Sequence, residues 1–452
     1  MSDFLFARSQ MAMSLAFHII FAALGIGLPL LMALSEGAYL RTKNPIYLDL
    51  SKRWAKGTAI LFAVGAVSGT VLSFELGLLW PGFMQYAGAI IGMPFSLEGF
   101  AFFTEAIFLG IYLYGWDRVS PLAHWISGVL VAISGMLSGV FVVTANAWMN
   151  APTGFDIVDG KVVNIDPIAA MLNPASFHEV LHMTLAAYVA TGFAVAAVHA
   201  WFVLKTPTSQ FHRRALGIAL LMATISIPLQ LISGDHSAKR VAELQPAKFA
   251  AMESHYQTEA GAPIILGGIA NDDAMRVDYA IKIPYALSFL AYNDPWAEVT
   301  GLAEFPRDEW PNSNIVHWAF DIMVGSGMVM LGLALWAGWL WWRTRRLPDH
   351  KWLLWGLVLA GPLGFIAIEA GWVVTEVGRQ PWIIYGVMRT AEAVTPIPGL
   401  VVPFVTFTLL YLVLSVVLVF LLRRQFLETA TPSDLETVTA PPSTKGTHPH
   451  AV

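Results

Sequence analysis

Residues 352 to 382 read WLLWGLVLAGPLGFIAIEAGWVVTEVGRQPW, an apolar run that ends in a carboxylate, a guanidinium and an amide. A helix needs about 20 apolar residues to cross a bilayer, and the part from 352 to 375 is long enough. Ionisable groups at a bilayer edge are costly unless they are paired or coordinate something, so Glu376 and Arg379 are predicted to belong to a functional site. The stretch therefore predicts a membrane helix with chemistry at one end.

The rest of the chain has the same apolar character. Of 452 residues, 56% are hydrophobic and 13% are charged, whereas roughly 25% charged residues are typical of a soluble domain. We predict an all-α polytopic membrane protein whose nine transmembrane helices form helix bundles. The nine spans are predicted at about 11–35, 55–79, 95–116, 122–147, 178–204, 215–233, 314–342, 352–375 and 397–422. The first span is longer than a signal-peptide core and is expected to be retained.

Basic residues outside the longest loop fix the predicted orientation of the spans. Fifteen Lys and Arg lie at one set of span ends, against four at the other: Arg8, Lys161, Arg379 and Arg389. Because cytoplasmic segments are enriched in Lys and Arg, the N-terminus is predicted outside and the C-terminus in the cytoplasm.

Four segments follow from this topology. They are spans 1–6 in residues 1–233, an outer-face loop in 234–313, spans 7–9 in 314–425, and a disordered cytoplasmic tail in 426–452. A loop of this length is usually functional, and a tail rich in Thr, Pro and Ser is typical of disorder.

Composition also limits the possible cofactors and partners. The chain has no Cys, which excludes disulfides, iron–sulfur clusters and thiolate-ligated heme, so His, Met, carboxylate or Tyr would ligate any metal cofactor. A formal net charge of -5 gives no general basic surface and argues against nucleic acid as a partner.

The predicted orientation brings four possible iron ligands to the outer part of the membrane, on four different helices: His18, His182, Met323 and Glu376. Taken singly, each His could simply hydrogen-bond a neighbouring helix, and Met323 could simply fill space in the core.

Span 3 carries two further ionisable residues. Glu98 and Glu105 are seven residues apart and therefore share one helix face. They predict either a proton relay or two carboxylic acids that are hydrogen-bonded inside the bundle. Glu369 and the segment 146–149 are weaker candidates for the same role in a proton relay.

Four motifs resemble subunit I of cytochrome bd-type quinol oxidases. They are GRQPW at 378–382, FHEVLHMTLAAYVATG at 177–192, HWAFDIMVGSG at 317–327, and GDHSAKRVAELQPAKFAAME at 234–253. The last is similar to the start of the family's quinol-binding Q-loop, here in its short form. The resemblance covers most of residues 1–400 and implies a multi-pass protein of a bacterial or archaeal cell membrane.

The resemblance implies two hemes b, one low-spin and one high-spin, and one heme d. His182 and Met323 correspond to the axial pair of the low-spin heme b; two fixed ligands exclude oxygen from that iron. His18 and Glu376 correspond to the ligands of the other two hemes and are not assigned separately. Arg379 and Gln380 are expected to contact heme propionates.

The same resemblance implies the reaction and the partners. Lys248 and Glu253 are expected to act in quinol oxidation at the outer face, and Glu98 and Glu105 in delivering cytoplasmic protons for the reduction of O2 to water, without proton pumping. A heme-free membrane subunit II is the expected partner, and a small single-span accessory subunit is a further candidate.

Two residues depart from the family pattern, and two alternative functions stay open. Asp321 stands where many relatives have Arg, which leaves the charge balance beside the low-spin heme open, and Ala238 replaces a usual Gly. One alternative is a di-heme cytochrome b electron carrier; the other is a proton-coupled transporter that uses Glu98, Glu105 and Glu369.

Overall fold

The computed structural model describes residues 2–428. Its first half contains α1 (Asp3–Thr42), α2 (Pro45–Leu79), α3 (Pro81–Tyr114), α4 (Pro121–Asn150), β1 (Asp156–Val158), β2 (Lys161–Val163), α5 (Pro167–Met171), α6 (Ser176–Lys205) and α7 (Gln210–Leu244).

The second half begins with the outer loop. It contains α8 (Pro246–Met252), β3 (Glu259–Ala260), β4 (Ile264–Leu266), β5 (Ile269–Asn271), β6 (Arg276–Asp278), β7 (Ile281–Ile283), α9 (Ala286–Tyr292), β8 (Glu298–Val299), 3-10 turns at Leu302–Glu304 and Arg307–Glu309, α10 (Ser313–Thr344), α11 (Lys351–Ala360), α12 (Leu363–Gly378), β9 (Trp382–Ile384), β10 (Met388–Arg389), α13 (Thr390–Ala393) and α14 (Val401–Glu428).

Within residues 2–428, nine helical segments are long and apolar enough to cross a membrane. They are α1 to α4, α6, α7, α10, the pair α11 and α12, and α14. The predicted all-α, nine-span fold is confirmed. Residues 429–452, which include most of the tail predicted to be disordered, lie outside the described residues.

The eighth span is divided into two helices rather than one. α11 ends at Ala360 and α12 begins at Leu363, with Gly361 and Pro362 between them. Proline has no backbone N–H and its ring clashes with the preceding helical turn, so the helix breaks there. After the break, Gly364 lies so close to α6 that a Cβ would stand 2.4 Å from Ala190 Cα.

The sixth span continues well past the membrane. The sequence places its end at about residue 233, but α7 runs to Leu244, about three further turns. The added segment contains good helix formers, and Asp235 and Lys239 form an i,i+4 ion pair of 2.5 Å. This polar extension positions the start of the outer loop.

Small residues let the spans pack closely, as is typical of membrane bundles. A Cβ at Gly27 of α1 would overlap Thr191 of α6, and one at Gly192 would lie 3.1 Å from Ala223 of α7. The largest apolar core joins α6, α7, α10 and α11 around Phe193 and Leu216.

The outer loop is an ordered unit of short antiparallel strand pairs. β3 pairs with β8, β4 with β7, and β5 with β6. Asn314 at the start of α10 bonds both backbone groups of Ala270 in β5, at 2.8 Å and 2.6 Å. These two hydrogen bonds connect the outer loop to the N-terminal end of α10.

Candidate functional site

The end of α12 holds the carboxylate and the guanidinium together, as the sequence predicts. Arg379 Nη2 donates to Glu376 Oε2 at 2.6 Å, and Asn146 Nδ2 of α4 donates to Glu376 Oε1 at 2.6 Å. Gln380 donates to the Glu376 carbonyl at 3.3 Å and accepts from the Thr390 hydroxyl at 2.9 Å. Both carboxylate oxygens of Glu376 thus have a partner, and each keeps a further lone pair.

Asn150, the last residue of α4, is the centre of this polar network. Its Oδ1 accepts from Lys248 Nζ at 2.9 Å, from Arg379 Nη1 at 3.1 Å and from Gln245 Nε2 at 3.3 Å. Its Nδ2 donates to Glu179 Oε1 at 2.9 Å. One side chain therefore links α4, α6, the outer loop and the end of α12.

The network balances buried charges of both signs. Lys248 and Arg379 are buried cations, and the carboxylates of Glu376 and Glu179 lie beside them. Burial and the nearby Arg379 lower the pKa of Lys248, while Glu179 and Glu376 act in the opposite direction. Because isolated buried charges are very costly, the carboxylates of Glu376 and Glu179 offset the repulsion between Lys248 and Arg379.

A small cavity adjoins the network. It has a volume of about 10 Å³, and Asn150, His178, Glu179 and Gln245 are among its lining residues. This is about the space that one water molecule needs, and the lining offers it several polar partners.

His18 is held by a serine of the neighbouring helix. His18 Nδ1 lies 2.9 Å from Ser68 Oγ, and that hydroxyl donates to the Val64 carbonyl at 3.0 Å. A hydroxyl has one proton, so Ser68 accepts the bond from Nδ1–H, and Nε2 keeps its lone pair.

His182 has the same arrangement on another pair of helices. Its Nδ1 lies 3.0 Å from Ser233 Oγ, which donates to the Gln230 carbonyl at 2.9 Å. The Gln230 amide nitrogen lies 3.1 Å from Nε2 and 3.3 Å from Nδ1. In both histidines Nδ1 contacts a serine hydroxyl of a neighbouring helix, which is the kind of contact that orients a histidine whose other nitrogen binds a metal.

Each proposed His or Met ligand lies against a glycine of an adjacent helix. A Cβ at Gly69 would lie 3.0 Å from His18 Cε1, one at Gly234 would lie 3.4 Å from His182 Cε1, and one at Gly371 would lie 3.1 Å from Met323 Sδ. Glycine at these three positions lets each proposed ligand pack directly against the neighbouring helix.

Glu253 lies buried under the outer loop. Its Oε1 has no hydrogen-bond partner. Burial raises the pKa of Glu253 to about 8, with a further contribution from Asp321, while a backbone hydrogen bond from Ile265 lowers it. Glu253 therefore carries its proton at neutral pH.

Asp321 helps to hold the outer loop. Its Oδ2 accepts from the Gly267 N–H at 2.6 Å and lies 3.7 Å from His317 Nε2. His317 Nδ1 and Nε2 lie 2.8 Å and 3.0 Å from the carbonyls of Met252 and Gly267. These contacts join α10 to the backbone of α8 and of the outer loop.

Glu98 and Glu105 lie along the α3–α4 contact. Ser138 of α4 donates to Glu98 Oε1 at 3.1 Å. Glu105 is buried, and a Cβ at Gly135 would lie 3.3 Å from its carboxyl group. In the part of the chain that the structure describes, no hydrogen bond joins either carboxyl to the Asn150 network.

A family model described as cytochrome bd terminal oxidase subunit I matches residues 6–430. The chain belongs to this family. Its enzyme class is therefore a terminal quinol oxidase of the cytochrome bd type, located in the membrane, and both predictions are confirmed.

Similar proteins and a solved structure also support membership of the bd oxidase family. A Bacillus subtilis (strain 168) protein provisionally named cytochrome bd menaquinol oxidase subunit I is 39% identical over 97% of this chain and 99% of its own. A cytochrome bd ubiquinol oxidase subunit 1 of the same organism is 34% identical over 94% of each chain. The bd oxidase structure from Geobacillus thermodenitrificans has a TM-score of 0.89 and 42% identity, covering 95% of this chain and 99% of that one.

Membership of the bd oxidase family implies heme cofactors, and the residues found here fit them. Two histidines contact a serine hydroxyl through Nδ1, a thioether lies against a glycine, and a carboxylate keeps free lone pairs. These are ligand types that heme iron accepts. As subunit I of its family, the chain also has a partner subunit.

The sequence interpretation missed two members of the site. Asn150 and Glu179 connect the signature to Lys248, and neither is among the site residues predicted from the sequence. The sequence signal for Asn150 was its position at the end of an apolar span, one helical turn after Asn146.

Proposed function

We propose that the chain oxidises quinol at the outer membrane face and reduces O2 to water with cytoplasmic protons. Protons are released on one side and consumed on the other, so charge is separated across the membrane without pumping. The observation that carries this proposal is the network through Asn150, which connects Lys248 of the outer loop to Glu376 and Arg379. The proposed quinol-handling residue Lys248 and the proposed heme-site residues Glu376 and Arg379 thus belong to one hydrogen-bonded network.

The orientation follows the predicted topology, with the N-terminus outside. Lys and Arg are enriched in cytoplasmic segments, and the excess of fifteen over four at the proposed cytoplasmic span ends supports this choice. The proposed segments are 1–233, 234–313, 314–425 and 426–452.

The proposed heme ligands are those of the resemblance. His182 and Met323 would hold the low-spin heme b, and His18 and Glu376 the high-spin heme b and heme d. Bound hemes supply electron storage and the reduction of oxygen. Ser68 and Ser233 orient the two imidazoles, and Arg379 and Gln380 orient Glu376 and supply positive charge and an amide for heme propionates.

Lys248 and Glu253 are the proposed quinol-handling residues. Both lie beneath the loop surface, and a water-poor site strengthens the interaction of charges with the reacting oxygens. Glu253, once deprotonated, is the group suited to accept a quinol proton, and Lys248 holds the loop against the network.

Glu98 and Glu105 are the proposed proton relay, which supplies protons toward the outer part of the membrane. The expected partners are a heme-free membrane subunit II and a small single-span accessory subunit. The apolar helix α14 has mostly exposed side chains and leaves a large surface for lipid or for such partners.

A reduced-minus-oxidised absorption spectrum of the purified complex, scanned into the red, tests the proposal. A chlorin band beside b-type signals is expected. Signals of b type alone would favour the electron carrier, and no heme would favour a transporter.

Met323→Leu tests the ligand assignment. One heme should lose its low-spin character while the others keep theirs, because one iron alone depends on this thioether. Unchanged spectra would remove Met323 from the ligand set.

A further inference from the structure

We propose that Glu36, His124 and Tyr112 form the site at which cytoplasmic protons enter the Glu105–Glu98 relay. This inference rests on the proposed function, because it needs that relay and the predicted orientation. The three residues come from the ends of α1, α4 and α3 that the charge distribution places in the cytoplasm.

The geometry of the cluster requires an exchangeable proton. His124 Nδ1 lies 2.7 Å from Glu36 Oε1, and His124 Nε2 lies 2.9 Å from the Tyr112 carbonyl. Because the carbonyl can only accept, Nε2 donates to it. The contact between Nδ1 and Oε1 therefore contains one proton, shared between an imidazole and a carboxylate.

Two atoms of the cluster have no hydrogen-bond partner although they are buried. Glu36 Oε2 and the Tyr112 hydroxyl are both unpaired, in side chains that are 3% and 0% exposed. The Tyr112 hydroxyl lies close to the Glu36 carboxyl and the Ser51 hydroxyl without the geometry of a hydrogen bond to either. Unpaired buried polar atoms are costly, and ordered water usually pairs them. An ion pair that only fastens α1 to α4 would not need these two open positions.

The cluster lies just beneath the cytoplasmic surface. The ring of Trp116 covers His124 with a centroid distance of 3.9 Å, and the ammonium group of the exposed Lys52 lies 5.1 Å from the centroid of Trp116. Trp116 therefore contacts both His124 and the exposed Lys52.

The relay continues from Tyr112 along one face of α3. Tyr112, Glu105 and Glu98 are spaced by seven residues, so they share a face with an axial step of about 10 Å. Along α4, Gly128 lies against the Tyr112 ring, Gly135 against Glu105, and Ser138 bonds Glu98. Glycines at the first two levels let Tyr112 and Glu105 pack directly against α4, and the steps between levels require water.

The proposed transfer conserves protons at each atom. A proton from water binds Glu36 Oε2 and moves to the Tyr112 hydroxyl oxygen, which releases its own proton inward to a water on the way to Glu105. Tyr112 stays neutral, and no electron moves in this step.

The test uses the complete, heme-loaded complex with its partner subunit. The reduced enzyme is mixed with O2, heme oxidation is followed by absorbance, and proton uptake is followed with a pH dye on the cytoplasmic side. Tyr112→Phe retains the ring that packs on His124 and removes only the hydroxyl, so the variant is expected to fold. Glu36→Gln retains an acceptor for His124. Tyr114→Phe is the matched control, because Tyr114 lies on the same helix and is 73% exposed.

We expect Tyr112→Phe and Glu36→Gln to slow proton uptake at least tenfold, with anaerobic reduction of the hemes by quinol and the heme spectra unchanged. Tyr114→Phe should match the unmodified chain. A Glu105→Gln variant distinguishes a failure of the proposed entry site from a failure of the relay. If Glu105→Gln blocks uptake and Tyr112→Phe does not, the entry site is wrong and the relay stands. If none of these variants alters uptake, the relay itself is wrong. Should Glu36→Gln fail to assemble, Tyr112→Phe decides alone.

Discussion

The ammonium group of Lys248 donates a 2.9 Å hydrogen bond to Oδ1 of Asn150. The same oxygen accepts from the guanidinium of Arg379 at 3.1 Å. One neutral amide thus holds two buried cations side by side, and it joins the outer loop to the signature at the end of α12.

Replacing Asn150 by Ala should destabilise this region. The variant leaves two buried charged donors without their shared acceptor, which should lower the free energy of unfolding by at least about 2 kcal/mol. Thermal unfolding of the detergent-solubilised complex measures the effect. Gln257→Ala removes an exposed amide in the same loop and should leave the melting temperature unchanged. If Asn150→Ala and Gln257→Ala have the same melting temperature, the network does not stabilise the fold.

Gly371→Ala should disturb the proposed low-spin heme without removing a ligand. The added Cβ would lie 3.1 Å from Met323 Sδ, so the thioether must shift by a few tenths of an ångström. A weaker Met bond should lower the midpoint potential of one heme b, as measured by spectroelectrochemical titration. Gly325→Ala on α10, where a Cβ would meet nothing within 4 Å, is the control. A potential that changes equally in both variants would argue against contact between Gly371 and a ligand.

Ser68→Ala and Ser233→Ala should weaken heme retention at two different hemes. Each change removes the hydroxyl that fixes Nδ1–H of a proposed ligand, and loss of such an orienting partner typically costs 10- to 100-fold in affinity. Heme content per chain after purification, with spectra to identify the missing heme, is the measurement. Ser73→Ala, an exposed serine of α2 whose hydroxyl bonds only the Gly69 carbonyl, should retain full heme content.

The stability of the outer loop should fall as the pH rises toward 8. Burial raises the pKa of Glu253 from 4.5 to about 8, so the folded loop favours the protonated carboxyl. The contribution is fully present below pH 4.5 and is lost as the pH passes through about 8. Limited proteolysis of the loop between pH 6 and pH 9 should show faster cleavage at high pH.

Glu253→Gln should remove this pH dependence, because the amide stays neutral throughout. Glu298→Gln, at an exposed position of the same loop, should keep the dependence of the unmodified chain. An unchanged profile in Glu253→Gln would assign the titration to another group.

The membrane fold could be predicted from sequence because each span is a long apolar run. The boundaries could not, since helices extend beyond the bilayer where good helix formers follow, as α7 does to Leu244. The break at Pro362 was visible as a residue type, but its effect within an otherwise apolar run depends on packing against α6.

The site was predicted only in part for a similar reason. Glu376 and Arg379 are three residues apart on one helix end, so the sequence itself brings them together. Asn150 and Lys248 are 98 residues apart, and nothing in a single sequence relates such distant positions. The roles of His18, His182 and Met323 stay predictions, although the serines and glycines beside them fit the proposed ligands.

The contact between Lys248 and Asn150 also limits how the loop can be exchanged between relatives. A chimera that carries a foreign loop on this scaffold needs a donor at 248 that reaches the asparagine at the end of α4. A graft with an apolar residue there would leave Asn150 with a lost partner and Glu179 with less positive charge nearby. The loop and the end of α4 should therefore be exchanged together in such a chimera.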